Sequence, residues 1–282
     1  MKPKILSLLV ITALIISCSG KKAAVISEGR SIKTRHAMAV TASPLASAIA
    51  ARVMAEGGNA VDAAVATELA LSVCFPAAGN LGGGGFMVIR LNDGTTAAIN
   101  YREKAPSGSS RDMYLGNNGD VIEGLSLNTH LSAGVPGTID GLLRVHEKYG
   151  MLPFAQLIQP AIDLAEKGFP VSESQAASFN GMKATFEARN KGRVAFVKQT
   201  PWHTGDTLRQ PELAMTLKRI RDLGRDGFYA GETARLIVDE CKRGNGIISA
   251  SDLRDYNSEW ERPLTADYRG YEIITKIGRA HV

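Results

Sequence analysis

Apolar positions along this chain fall in blocks whose spacing shifts from helical to strand-like and back. Ser43-Pro44 starts the first block, a Ser at the capping position and a Pro at the first helical residue. Leu45, Ile49, Val53 and Met54 then share one face until Gly57-Gly58. A second helix is expected over residues 60–73, where Asp62, Thr67, Glu68 and Ser72 are the polar residues, so most of its sides should be buried. Residues 86–91 and 97–101 flank Asn92-Asp93-Gly94-Thr95 and predict a β-hairpin with a primed turn, because Asp-Gly tolerates positive φ. Helices follow over 138–148 and over a stripe of Phe154, Leu157, Ile158, Ala161, Ile162 and Ala165, in which Pro160 predicts a kink or a break. Further helices are expected over 212–222, 233–242 and 251–256, with 184–207 a polar, basic loop. No linker divides these pieces, which reads as one α/β domain with strands near both ends and helices between.

The first residues read as an address. Lys2 and Lys4 precede a mostly apolar stretch of 12 residues, 5–16, too short to span a bilayer that needs about 20. Ile15-Ile16-Ser17-Cys18 resembles a bacterial lipobox, so residues 1–17 are expected to be a lipoprotein signal peptide and Cys18 the lipidated new N-terminus. Residues 18–33 then form a tether. The expected location is exported, periplasmic or lipid-anchored to a bacterial cell membrane.

Composition narrows the function. The 282 residues carry a formal net charge of +5, and removal of Lys2 and Lys4 with the signal peptide lowers it to +3. The absence of long Lys/Arg runs, with 2 Trp, argues against a nucleic-acid partner. Cys74 and Cys241 lie far apart, and Cys74 closes an apolar run as a small core residue. His36, His130, His146, His203 and His281 have no metal-ligand spacing, so no metal site is expected.

The candidate chemistry lies around the hairpin. Gly82 to Gly85 cannot open a dinucleotide loop, since Met87 stands where the last Gly would be needed and a strand follows. Such glycines otherwise permit close backbone approach. Arg102 ends the second strand in Tyr101-Arg102-Glu103-Lys104-Ala105-Pro106, where its fork can bind a carboxylate; a surface pair with Glu103 is the plainer reading of the residue alone.

Several motifs in one order change that balance: Gly57-Gly58-Asn59-Ala60-Val61-Asp62-Ala63-Ala64, Gly79-Asn80-Leu81-Gly82-Gly83-Gly84-Gly85-Phe86, Tyr101 to Pro106, Gly134-Val135-Pro136-Gly137 and Asp267-Tyr268-Arg269-Gly270-Tyr271. Together they resemble the γ-glutamyltransferase (γ-glutamyltranspeptidase) family over nearly all of residues 37–275. The resemblance implies part of an αββα sandwich of the N-terminal-nucleophile hydrolase type, with residues 34–276 an incomplete large-subunit portion of a self-cleaving proenzyme. It implies transfer of the γ-glutamyl group of glutathione-like substrates to water or an amino acid, with Arg102 binding the substrate's α-carboxylate and no cofactor. A separate small subunit of the same proenzyme is the implied partner.

The Thr nucleophile that the resemblance requires is expected beyond Val282. Thr129-His130 superficially resembles its motif, but Gly134-Val135-Pro136-Gly137 follows at once, which marks an internal segment. Residues 277–282 depart from the family pattern; Ile-Gly-Arg-Ala-His-Val is what ATC GGA AGA GCA CAC GTC encodes and resembles a sequencing adapter, so this segment is expected to be an artefact. The alternatives are a related acylase of the same superfamily, or a non-catalytic chain that binds γ-glutamyl compounds or pairs with a separately encoded subunit.

Overall fold

The computed structural model describes residues 32–190 and 192–276. Cys18, the signal peptide expected over 1–17, most of the expected tether and residues 277–282 lie outside the described residues. Residues 38–276 belong to a single compact unit.

Among the described residues, eight helices longer than one turn carry the core. They are α1 (Pro44–Ala55), α2 (Ala60–Cys74), α3 (Thr138–Tyr149), α4 (Phe154–Lys167), α5 (Glu173–Arg189), α6 (Pro211–Leu223), α7 (Gly231–Arg243) and α8 (Ala250–Asp255). Single helical turns lie at Leu125–Asn128 and Asp226–Tyr229. Helix α1 packs on α2, α2 on α4 and α4 on α6, while α3 reaches both α2 and the sheet. No helix among the described residues is long and apolar enough to cross a membrane.

The principal sheet is antiparallel, in the order β1 (Phe86–Arg90), β2 (Thr96–Asn100), β5 (Glu259–Glu261). Its register sets Met87 against Ile99 and Ile89 against Ala97. Ile89, Ala97 and Ile99 are buried on one face, whereas on the opposite face Val88 is 42% exposed and its partner Ala98 is buried, so that second face is only partly covered. Strands β3 (Phe169–Pro170) and β4 (Thr207–Leu208) make a short ribbon, and β6 (Leu264–Tyr268) and β7 (Tyr271–Thr275) a separate hairpin. One sheet layer and one helix layer of the expected sandwich are therefore present, with strands near both ends of the chain as expected.

Four local expectations need correction. Only Gly94 takes positive φ in the first hairpin, so its loop is a tight turn closed by Gly94 N–H to Leu91 C=O (3.1 Å) and by Leu91 N–H to Thr95 C=O (2.8 Å), rather than a primed two-residue turn. The primed pair occurs instead at Arg269 (φ 50°) and Gly270 (φ 80°), between β6 and β7. Helix α4 is not broken at Pro160, because Gln156, whose carbonyl loses its donor, is exposed to water while Leu157, Ile158, Ala161, Ile162 and Ala165 bury one continuous stripe. Helix α5 occupies the start of the expected 184–207 loop, begun by a reciprocal cap between Ser172 and Gln175. Finally, the Ser43 hydroxyl does not cap α1; it accepts a hydrogen bond from the buried Cys74 thiol at 3.2 Å.

Asp62 is fully buried in α2, and its carboxylate shows how a charge inside a core helix is satisfied in place. It accepts hydrogen bonds from the backbone N–H of Asn59 (2.9 Å), Met151 (3.0 Å) and Leu152 (3.4 Å), and so pins the α3–α4 connection to the start of α2. Asp62→Ala leaves these donors unpaired and is expected to lower the unfolding free energy by about 3 kcal/mol. Urea denaturation measures it, with Asp62→Asn expected to lose less.

Candidate functional site

Three of the motifs singled out in the sequence meet at the end of β2. Tyr101 is buried and exchanges both backbone hydrogen bonds with Gly85, its N–H reaching the Gly85 carbonyl at 3.0 Å. The ladder then lapses for two residues and resumes where Lys104 bridges Val135. Arg102 stands in that gap. Its N–H is satisfied locally by Asn100 Oδ1 at 3.2 Å, and its carbonyl accepts the Tyr256 hydroxyl at 2.8 Å.

The glycines let this backbone lie close to its supports. A Cβ on Gly84 would sit 2.5 Å from the Tyr101 carbonyl oxygen and 2.7 Å from Arg102 Cα, and one on Gly137 would sit 2.1 Å from the Tyr256 hydroxyl. No side chain fits at either position. The Gly83 carbonyl also accepts the N–H groups of Gly137 (2.7 Å) and Thr138 (3.1 Å), capping α3 and locking the glycine strap to the Gly-Val-Pro-Gly segment.

The Arg102 side chain is 40% exposed and makes no hydrogen bond among the described residues. Its guanidinium lies 3.8 Å from the Glu103 carboxylate, an ion-pair spacing too long for a hydrogen bond. The plain reading of a surface pair with Glu103 is thus met geometrically, but the donors stay available to an incoming carboxylate. Its rigidity comes from the backbone and not from the side chain's own partners.

Behind Arg102 lies a polar node that the motifs did not announce. Asp140, 2% exposed on α3, accepts Arg225 Nε at 2.9 Å and both the N–H and the hydroxyl of Ser258 at 2.7 Å. Arg225 also donates to the Tyr256 carbonyl at 2.5 Å and covers the Tyr229 ring at 4.5 Å. Tyr229 stacks on Tyr256 with ring centroids 5.9 Å apart and donates to the Pro136 carbonyl at 2.9 Å. Burial pushes the phenols of Tyr101, Tyr229 and Tyr256 well above the ordinary range, and the negative charges of Asp140, Glu103 and Glu259 push Tyr256 further the same way. Tyr229 and Tyr256 therefore remain hydrogen-bond donors at any physiological pH. The one available signal in the sequence was Asp140, an acid within the apolar set Ile139, Leu142 and Val145, since a buried charge requires a partner.

Thr129 takes a structural position. Its hydroxyl donates to the Leu125 carbonyl at 2.6 Å and accepts the Leu131 N–H at 3.3 Å, while His130 Nε2 lies 2.9 Å from Glu240. No groups of three or more potential metal ligands gather among the described residues.

Asp252 fastens the loop after Arg102 to α8. Burial acts to raise its carboxyl, but hydrogen bonds from the Ser249 side chain and from the backbone of Ser107 and Ser249 outweigh it and hold the pKa at about 2. A folded value below the unfolded one of about 3.9 stabilises the protein above the unfolded pKa, and that stability is lost as pH falls through the folded value. Between about pH 5 and pH 2 the urea midpoint is expected to fall, and Asp252→Asn to flatten that dependence by about 1 kcal/mol after allowance for solvent screening.

Comparison with known proteins agrees with this geometry. The sequence profile of the gamma-glutamyltranspeptidase family matches residues 46–278. A glutathione hydrolase proenzyme from Pseudomonas sp. (strain A14) is 43% identical over 246 residues, covering 86% of this chain and 43% of the relative. An acylase ACY 1 proenzyme from Pseudomonas sp. (strain V22) is 36% identical, over 84% of this chain and 44% of its own length. The crystal structure of Helicobacter pylori gamma-glutamyltranspeptidase superposes with a TM-score of 0.84 at 43% identity, covering 87% of this chain and 71% of that one. This chain thus spans less than half the length of the curated relatives it matches, within their large-subunit region, and its fold is the corresponding part of the N-terminal-nucleophile hydrolase fold. The chain belongs to the gamma-glutamyltranspeptidase family.

Proposed function

We propose that this chain supplies the donor-recognition half of a γ-glutamyltransferase or glutathione hydrolase proenzyme, and that Arg102 binds the α-carboxylate of the γ-glutamyl group. The observation that carries the reading is the Arg102 guanidinium itself, half-exposed and without hydrogen bonds among the described residues, at the end of a strand whose backbone is fixed on four sides by Gly84, Gly137, Asn100 and Tyr256. A guanidinium held this way binds a carboxylate bidentately and discriminates against donors that lack one, because its charge is then left without a partner as the site closes.

The reaction proposed is acyl transfer. The hydroxyl of an N-terminal Thr, expected beyond Val282, attacks the γ-carbonyl carbon while its own α-amino group takes the hydroxyl proton. The C–N bond then breaks with return of that proton to the leaving amine, and water or an amino acid releases the acyl group in a second addition. In that sequence Arg102 does not touch the reacting carbonyl; it fixes the far end of the donor so that the γ-carbon meets the nucleophile. An acylase acting on another amide is the nearest alternative, and the Tyr101-Arg102-Glu103 segment together with the higher identity to the glutathione hydrolase supports the γ-glutamyl reading.

We further propose that Cys18 is lipidated after removal of residues 1–17 and holds the protein at a bacterial membrane on its exported side. The support is the lipobox-like Ile15-Ile16-Ser17-Cys18 alone.

In the complete proenzyme Arg102→Ala is expected to raise KM for a γ-glutamyl anilide about 100-fold with kcat largely retained, and Arg102→Lys to recover part of it. Steady-state kinetics decide, and an unchanged KM overturns the assignment. For the anchor, metabolic labelling with a radioactive fatty acid is expected to mark the wild-type protein and not Cys18→Ala, with the label in the membrane fraction.

A further inference from the structure

Arg102 and Glu103 lie outside the β-ladder, between the Tyr101–Gly85 pair and the Lys104–Val135 bridge. The peptide that follows Arg102 Cα therefore has no strand to set its direction. Gly84 packs against it, and its carbonyl is held by one long-range hydrogen bond, from the Tyr256 hydroxyl at 2.8 Å, across 154 positions of sequence.

Tyr256 is itself held from several sides. Its ring stacks on Tyr229 at an interplanar angle of 6°, its carbonyl is gripped by Arg225, and two residues on Ser258 is fixed by Asp140. Its hydroxyl fits against Gly137, where any Cβ would displace it. The Arg225 and Arg144 side chains both donate to backbone on this segment, Arg225 to the Arg254 carbonyl at 3.1 Å and Arg144 to the Ser258 carbonyl. The ring so constrained places its hydroxyl at hydrogen-bond distance from the Arg102 carbonyl.

We propose that Tyr256 is a positioning residue for the substrate carboxylate: anchored by the Asp140–Arg225–Ser258 node, its hydroxyl fixes the Arg102 peptide and so aims the guanidinium. This rests on the reading of Arg102 as the carboxylate-binding group. Tyr256 touches no substrate. Its loss leaves the Arg102 charge and donors in place but lets the peptide rotate, which spreads the guanidinium over orientations of which a fraction accept the donor.

The test is a double-mutant cycle in the complete proenzyme, read with a γ-glutamyl anilide. Tyr256→Phe, which keeps the stacked ring and removes the hydroxyl, is expected to raise KM about tenfold and leave kcat within about twofold in the otherwise wild-type enzyme. In an Arg102→Ala background the same change is expected to cost nothing further, because there is no guanidinium left to aim. A Tyr256→Phe effect of the same size in both backgrounds, or a loss confined to kcat, or no loss in the wild type, overturns the proposal. Should Tyr256→Phe fail to accumulate as folded protein, Ser258→Ala, which removes one hydrogen bond to Asp140, is carried through the same cycle, and the same outcomes support or overturn the proposal. If Arg102→Ala leaves the KM unchanged, the carboxylate reading itself falls; a full Arg102→Ala loss beside a silent Tyr256→Phe removes the positioning role alone.

Discussion

The close approach of bare backbone to Tyr101 is the constraint on which the site depends. Gly84, Gly85, Gly137 and Gly141 come from two separate stretches of chain, and a Cβ on any of them would fall within 2.1–2.7 Å of an atom of Tyr101. Gly85 and Gly141 face its side chain, and Gly84 and Gly137 its carbonyl oxygen. This brings β1, the start of α3 and the end of β2 nearer together than ordinary residues allow, and it leaves Arg102 at the point where all three converge. Glycine costs conformational entropy at each position, about 0.5–1 kcal/mol relative to Ala, which the buried tyrosine and the hydrogen bonds to the Gly83 carbonyl offset.

The second organising feature is a buried charge. Asp140 accepts three hydrogen bonds, one of them from Arg225 and two from Ser258, and so joins α3, the turn before α7 and the strand-forming segment at Ser258. Ion pairs of this kind contribute little net stability, because desolvation consumes most of the Coulombic gain. What they contribute is register: few arrangements satisfy the carboxylate, and no buried side-chain nitrogen or oxygen among the described residues lacks a partner. The proposed role of Tyr256 uses that register, in that the node is rigid where the Arg102 peptide would otherwise be free.

The sheet divides the molecule's tasks between its faces. Ile89, Ala97 and Ile99 bind it to the helices, while Val88 and most of the β6–β7 hairpin face outward. Arg102 sits at the end of β2, at the boundary of this layer, and the proposed acyl transfer needs a nucleophile that approaches that boundary from elsewhere in the proenzyme. A recognition group on a strand end, braced by helices behind it, is held more precisely than one on a free loop.

The sequence by itself determined the elements whose cause is local. Helix α2 was legible from its composition, α4 from its 3.6-residue stripe and the first hairpin from two largely apolar runs about Asp-Gly, while the motifs around Arg102 singled it out as the candidate site residue. It misplaced those that depend on surroundings: Pro160 does not break α4 because water reaches Gln156, the Ser43 hydroxyl is taken by Cys74, and the primed turn lies at Arg269-Gly270 instead of Asp93-Gly94. Only the tertiary structure decided that Tyr256, Asp140, Arg225 and Ser258 gather behind Arg102. The hydrogen bonds that join them to one another and to Arg102 span 31 to 154 positions. Periodicity records which face of an element is buried, but not which distant carbonyl or carboxylate a polar side chain will meet there.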